Sequence, residues 1–130
     1  MKKIFFTLSL CITIIVLFDI SATAQTNTSS LSFLRHVVII TFKDDAAADT
    51  IKALDKIYTD LSKSPLVKDF EMGVNVSPRD SGVVKHIYVT SFASKDDLDS
   101  YRKIPEYGKL FKISLPISND VTVVDYWARK

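Results

Sequence analysis

The hydrophobic pattern of the chain predicts four β-strands. Residues 34–42 are almost continuously apolar and rich in β-branched side chains, which is typical of a strand covered on both faces. Apolar and polar positions alternate over residues 68–77, 84–92 and 119–127, and each of these stretches predicts a further strand. The turn over residues 78–82 is short and contains proline and glycine, so strands two and three are expected to form an antiparallel hairpin.

Helical spacing of apolar residues predicts a helix between strands one and two. Its apolar face consists of Ile51, Leu54, Tyr58 and Leu61. Acidic residues at its start are expected to cap the first amides and to oppose the helix dipole, namely Asp44, Asp45 and Asp49. The helix is expected to end near Pro65.

A second helical region follows strand three. Ser94 and Asp97 form a variant of the capping box that begins a short helix, and Pro105 is suited to the first position of another. The side chains expected to face inward from this region are Leu98, Tyr101, Tyr107, Leu110 and Phe111.

The resulting order, β-α-β-β-α-β, predicts a single α+β domain with a ferredoxin-like protomer. Its four strands are expected to form one antiparallel sheet with the helices on one side. Strands one and four are apolar on both sides, so the second face of the sheet needs a cover. In so short a chain a second copy is the expected cover, and we therefore expect a homodimer that forms a dimeric α/β barrel.

The N-terminus has the three parts of a secretory signal peptide. Lys2 and Lys3 precede an apolar stretch over residues 4–18, and the small residues 21–24 offer a cleavage site. The alternative is a retained membrane anchor, but the apolar stretch is shorter than the roughly 20 residues that a spanning helix needs.

Cleavage of this signal would define the mature protein. We expect residues 1–24 to be removed, residues 25–33 to be a flexible lead-in, and residues 34–128 to form the domain. The product would be exported to the periplasm or the extracellular space, and it would have no stable membrane anchor.

Charge and cysteine content exclude two classes of function. The net charge of +2 falls to +1 when Lys2, Lys3 and Asp19 leave with the signal, and so small a charge gives no case for a nucleic-acid partner. Cys11 is the only cysteine and lies within the signal. The exported domain would therefore have neither a disulfide nor a thiol nucleophile.

Two histidines and three tyrosines are the candidate chemical groups. His36 and His86 are the only histidines, and imidazole exchanges protons near neutral pH. Tyr58, Tyr101 and Tyr107 are candidates to orient a substrate through their hydroxyls. The alternative is structural, with hydrogen-bonded histidines at the sheet margin and tyrosines packed against the sheet.

No metal site and no cofactor are predicted. With three glycines in all, the chain has neither a phosphate loop nor the glycine set of a dinucleotide-binding fold. The two histidines are far apart in sequence and have no placed carboxylate, which does not make a zinc site. Asp96, Asp97 and Asp99 lack the spacing of a calcium loop.

In its motifs the chain resembles the Dabb family, the stress-responsive A/B barrel domains of the dimeric α/β barrel superfamily. The resemblance spans residues 34–127. It rests on Arg35-His36-Val37-Val38, on Ser91-Phe92 followed by Ser94, on Asp97-Leu98 followed by Tyr101, and on Val123-Val124-Asp125-Tyr126. It implies the fold described above and a dimer in which two sheets pack into a barrel.

The resemblance also implies roles for particular residues. Most family members have no established activity, whereas one plant branch comprises polyketide cyclases, which close a poly-β-ketone by an intramolecular aldol reaction in a pocket between sheet and helices. Their histidines and tyrosines correspond here to His36, His86, Tyr58 and Tyr101. The catalytic histidine after their second helix corresponds to Tyr107, so the chain departs from the cyclases at that position.

The sequence therefore favours an exported Dabb protein of unestablished activity, dimeric and with a small-molecule pocket between sheet and helices. One alternative is a cofactor-free, lyase-like or cyclase-like enzyme that uses His36 and His86 as acid and base on a carbonyl substrate. A second alternative is a purely structural dimer module. The enzyme hypothesis predicts a cavity between helix one and the sheet into which both histidines point.

Overall fold

The computed structural model describes residues 32–128. The predicted signal peptide over residues 1–24, and all but the last two residues of the predicted lead-in over 25–33, lie outside this range. Within it, no helix is both long and apolar enough to cross a membrane.

The described residues form four strands and three α-helices. These are β1 (Leu34–Phe42), α1 (Ala48–Leu61), β2 (Val67–Val74), β3 (Lys85–Phe92), α2 (Lys95–Tyr101), α3 (Pro105–Ile117) and β4 (Ser118–Trp127). A 3₁₀ turn over Pro78–Asp80 and a left-handed Gly82, at φ 83°, complete the connection between β2 and β3. The predicted order is confirmed, with the second helical region divided into α2 and α3.

The strands form one antiparallel sheet in the order β2-β3-β1-β4. Burial alternates strictly along β1, because every second side chain faces the helices. The core lies between this face of the sheet and the helices. Its buried apolar residues are Leu34, Val38, Ile40, Phe42, Leu54, Tyr58, Leu61, Tyr88, Phe92, Leu98, Tyr101, Tyr107 and Leu110. This confirms the ferredoxin-like fold with helices on one side.

The two predicted helix starts have different outcomes. Ser94 caps α2 as expected, since its hydroxyl accepts a hydrogen bond from the backbone N–H of Asp97 at 3.1 Å. The predicted capping of α1 by aspartates is wrong, because Ala47 occupies the cap position and no side chain bonds there. Asp44 and Asp45 precede that position, and Asp49 lies in the first turn, where its negative charge interacts favourably with the helix dipole.

The face of the sheet away from the helices, here called the open face, has an apolar centre. It carries Val37, Ile39, Ile87, Val89, Val124 and Tyr126. At its margin Arg35 forms an ion pair with Asp69 at 3.1 Å and donates a hydrogen bond to the Ser91 hydroxyl. Val124 and Tyr126 remain 46% and 47% exposed in the protomer, as expected for a surface that a second copy would cover.

Candidate functional site

A buried histidine at the start of β1 is held by a carboxylate from the neighbouring strand. His36 faces the helices and is only 1% exposed. The register between β1 and β4 places Asp125 directly opposite it on the same face. The Nδ1–H of His36 donates to Oδ1 of Asp125 at 2.6 Å, which fixes the orientation of the ring.

The other nitrogen of this ring meets a phenol. The hydroxyl of Tyr107, in the first turn of α3, lies 3.3 Å from Nε2 of His36. Since Nδ1 donates to the carboxylate, Nε2 carries a lone pair and accepts from this hydroxyl. On the far side, Nη2 of Arg102 donates to the second oxygen of Asp125 at 2.6 Å. The result is a continuous chain from Arg102 through Asp125 and His36 to Tyr107.

Burial and charge set the protonation states along this chain. Burial lowers the pKa of His36 below its ordinary value of 6.5, and Asp125 only partly opposes the shift. Partial burial would raise the pKa of Asp125, but hydrogen bonds from His36 and Arg102 hold it below its ordinary value. Burial raises the pKa of Tyr107, with Arg102 acting against it. At neutral pH Asp125 is therefore a carboxylate, His36 is a neutral imidazole and Tyr107 is a protonated phenol.

The three candidate tyrosines are all buried close to this chain. The ring of Tyr101 packs against that of Tyr107 with centroids 5.4 Å apart. Tyr58 on α1 stacks on Tyr88 of β3 with centroids 3.6 Å apart. Burial raises the pKa of both Tyr58 and Tyr101. Their hydroxyls are therefore protonated and available as hydrogen-bond donors.

A small cavity adjoins the phenols between α1, α3 and the sheet. Its volume is about 10 Å³, and it is lined by Val38, Tyr58, Tyr107, Leu110, Phe111, Ser114, Val121 and Val123. A cavity of this volume has room for about one water molecule. Neither histidine lines it, although the Tyr107 hydroxyl joins its wall to Nε2 of His36.

The second histidine lies elsewhere on the same face of the sheet. His86 is paired with Ile40, four residues along β1 from His36, which corresponds to roughly 13 Å. Its Nδ1 lies 2.9 Å from Oδ1 of Asp55 on α1, and the Tyr88 hydroxyl donates to the same oxygen at 2.7 Å. The prediction of one cavity shared by both histidines is therefore wrong.

A further groove lies on the outer surface between α1 and α3. It has a volume of about 430 Å³ and is lined by Ile57, Asp60, Leu61, Lys63, Ser64, Ile104, Glu106 and Lys109. None of the five candidate residues lines it. The described part of the chain also holds no group of three His, Cys, Asp or Glu residues placed for a metal ion.

Residues 34–128 match the family described as the stress responsive A/B barrel domain, Dabb. The chain is a member of the Dabb family. The expected resemblance is thus confirmed over nearly the whole described range. No curated protein sequence matches the chain.

Solved structures share this fold. A protein from Arabidopsis thaliana is 29% identical, with a TM-score of 0.63 over 75% of this chain and 96% of its own. A hydroxynitrile lyase from Passiflora edulis is 20% identical, with a TM-score of 0.67 over 77% and 96%. A dimeric ferredoxin-like protein of unknown function from Thermobifida fusca is 17% identical, with a TM-score of 0.64 over 75% and 92%. This Dabb domain thus shares its fold with a protein described as dimeric and ferredoxin-like.

The structure adds two residues that sequence reasoning missed at the His36 site. Asp125 interrupts the apolar alternation of β4 on the face that also carries Val121 and Val123, and this interruption was the available signal. Arg102 had no comparable signal. In this Dabb domain, the position where the resemblance places the cyclases' catalytic histidine is Tyr107, which contacts His36 instead.

Proposed function

We propose that this Dabb protein is an exported homodimer that binds a small carbonyl compound between its sheet and helices and transfers protons to and from it without a cofactor. The observation that carries the proposal is the chain Asp125···His36···Tyr107, which ends at a cavity. A buried base oriented by a carboxylate and next to a proton donor is the arrangement that general acid–base catalysis requires.

The proposed chemistry uses the two ends of the His36–Tyr107 contact. When the Tyr107 hydroxyl turns from Nε2 to the oxygen of a substrate, it donates a hydrogen bond to that oxygen and leaves the lone pair of Nε2 free. His36 then accepts a proton, either from the carbon next to a ketone carbonyl or from the hydroxyl of a hydroxynitrile, whose oxygen becomes the carbonyl oxygen. Asp125 stabilises the imidazolium that forms, so it acts as a positioning residue.

The proposed reaction class has a concrete first substrate. The Passiflora edulis neighbour is named as a hydroxynitrile lyase, and its 20% identity to this chain reflects the shared fold. In hydroxynitrile cleavage a base removes the hydroxyl proton, the bond between carbon and cyanide breaks, and cyanide leaves as hydrogen cyanide with the proton that the base gives back. His36 is the proposed base for that step and for enolisation of a ketone.

Two assays on the mature chain test this proposal. One follows mandelonitrile cleavage to benzaldehyde, and the other follows exchange of the methyl protons of acetophenone in D2O by NMR. We expect His36→Gln to lose about 10²-fold or more in rate. The matched variant His86→Gln is expected to keep the rate, because His86 is not part of the chain to the cavity. Equal rates for wild type and His36→Gln on both compounds would contradict the proposal.

Export and dimerisation rest on different features. The pattern of residues 1–24 supports export, and the apolar open face together with the dimeric Thermobifida fusca relative supports a homodimer. Residues 25–130 are expected to sediment as a dimer at micromolar concentration. Ile39→Glu should yield monomers, because it would bury a charge in the centre of the interface. A wild-type monomer at that concentration would contradict this part of the proposal.

The structural dimer module remains the second candidate function, and one observation favours it. Among the described residues, no buried side-chain nitrogen or oxygen lacks a hydrogen-bond partner. If this role is correct, His36→Ala lowers the melting temperature and there is no activity to lose.

A further inference from the structure

The side chains that line the small cavity favour neutral ligands over charged ones. The walls consist of aliphatic and aromatic side chains, and the only polar side chains among the lining residues are the hydroxyls of Tyr58, Tyr107 and Ser114. No charged side chain lines the cavity. An ion entering here would lose its hydration without gaining a counter-charge, whereas a neutral hydrogen-bond acceptor would meet phenol donors.

Two of the residues that line the cavity are partly exposed. Tyr58 and Leu110 are 4% and 3% exposed, but Phe111 and Val123 are 43% and 44% exposed. Phe111 belongs to α3 and Val123 to β4, so the exposed part of the lining lies at the seam between these two elements. The floor of the cavity is therefore core, and its outer wall at the seam is in contact with solvent.

Phe111 is the movable part of that wall. Its ring packs edge-on against Tyr107 with centroids 5.6 Å apart, and nearly half of its surface is in water. Exposed side chains change rotamer on a fast timescale, whereas the β-branched Val123 has a restricted χ1 rotamer on β4. Rotation of Phe111 away from Tyr107 would open the cavity to the seam.

We infer that Phe111 is the gate of this cavity, and that the gate admits neutral, flat and mostly apolar molecules with one hydrogen-bond acceptor. The ring of such a molecule would replace the Phe111 ring beside Tyr107, with its acceptor towards the hydroxyls. This inference rests on the proposed function for the identity of the site and adds its entrance and ligand class. Closed, the cavity takes a single water, so the gate sets which ligands reach Tyr107.

Acetophenone and benzoate are matched probes, because they differ mainly in a methyl group against a charged oxygen. Binding is followed through the methyl NMR signals of Val38, Val121 and Val123. If the open state is populated at about one tenth, Phe111→Ala should bind acetophenone about tenfold more tightly than wild type. Phe111→Trp should bind it more weakly than wild type, and benzoate should leave the methyl signals unchanged in every variant.

The control is Leu115→Ala, one turn further along α3, which removes a 60% exposed apolar side chain that does not line the cavity. Its affinity should equal that of wild type. Equal acetophenone affinity in wild type, Phe111→Ala and Phe111→Trp would overturn the gate, and so would benzoate binding at the same methyls. Phe111→Leu replaces Phe111→Ala if thermal unfolding shows that the latter does not fold.

The same titration in His36→Gln separates the gate from the proposed function. Entry past Phe111 does not require a base, so acetophenone should still bind and Phe111→Ala should still strengthen binding in this background. If binding follows Phe111 while turnover is absent, the gate stands and the acid–base proposal fails. If turnover depends on His36 but Phe111 has no effect on binding, the gate fails and the acid–base proposal stands.

Discussion

The two ends of the buried sheet face contain the same three residue types and connect them differently. At one end, the carboxylate of Asp125 bonds to His36, and the Tyr107 hydroxyl bonds to the other nitrogen of that ring. At the other end, His86 and Tyr88 both bond to a single oxygen of Asp55. At the first end the hydrogen bonds run from the carboxylate through the imidazole to the phenol, here called the chain. At the second end both hydrogen bonds meet at one carboxylate oxygen, here called the convergence.

This difference separates a site that can transfer protons from one that fastens a helix. In the chain, the imidazole lies between a carboxylate and a phenol that lines a cavity, so a proton can move along it. In the convergence, Asp55 on α1 is bound by two side chains of β3 and ties the helix to the sheet. Histidine, aspartate and tyrosine in proximity therefore do not define an acid–base site, whereas their connectivity does.

The largest stability effect is expected at the fastening site. Asp55→Ala should lower the free energy of unfolding by about 2–3 kcal/mol, because it leaves the fully buried Tyr88 hydroxyl and Nδ1 of His86 without an acceptor. Urea denaturation measures the loss. Asp55→Asn keeps one acceptor oxygen and should lose less. A loss no larger for Asp55→Ala than for Asp55→Asn would show that Asp55 does not fasten α1.

A smaller stability effect is expected at the proposed acid–base site. Asp125→Ala should cost about 1–2 kcal/mol, because Nδ1–H of His36 stays buried without its acceptor while the half-exposed Arg102 regains water. The same variant should slow exchange of acetophenone protons as much as His36→Gln does. If Asp125→Ala loses stability but exchanges acetophenone protons at the wild-type rate, Asp125 does not position His36 for proton transfer.

The pH dependence of stability sharpens the comparison further. The pKa of His36 is lower in the folded state than its unfolded value of 6.5. Between these two pKa values unfolding therefore takes up a proton. The stabilising contribution is therefore complete above pH 6.5 and is lost as the pH falls through the folded pKa. In denaturation at a series of pH values, His36→Gln should remove this part of the slope. An unchanged slope would contradict the neutral, buried state of His36.

The smallest effect on stability is expected for Tyr107→Phe. Its hydrogen bond to Nε2 is long, at 3.3 Å, so the variant should lose only about 0.5 kcal/mol of stability. Its exchange rate should nevertheless fall strongly, since the proton donor to the substrate oxygen is gone. Tyr88→Phe is the matched control at the other end, where stability should change more than exchange. The opposite order in these two variants would break the comparison.

The fold was largely predictable from the sequence, because each strand and helix has a local pattern. The alternation of β3 and the capping residue Ser94 are features of consecutive residues. The capping of α1 was mispredicted, since nearby aspartates do not identify which residue takes the cap position, and Ala47 takes it.

The candidate site was predictable only in part. Periodicity assigned Tyr107 to an inward-facing position and placed His36 on one face of β1, but it does not say which face is buried or which strands become neighbours. His36 and Asp125 are 89 residues apart in sequence and meet only through the pairing of β1 with β4. The separation of His36 from His86 depends in the same way on the register of β1 against β3.

The most direct test of the central claim is imidazole ¹⁵N NMR of the wild-type protein at neutral pH, with and without acetophenone. We predict that the Nε2 signal of His36 shifts on binding while its Nδ1 keeps the signature of a proton shared with Asp125, and that His86 does not respond. A response of His86 instead, or of neither ring in the presence of bound acetophenone, would contradict the account.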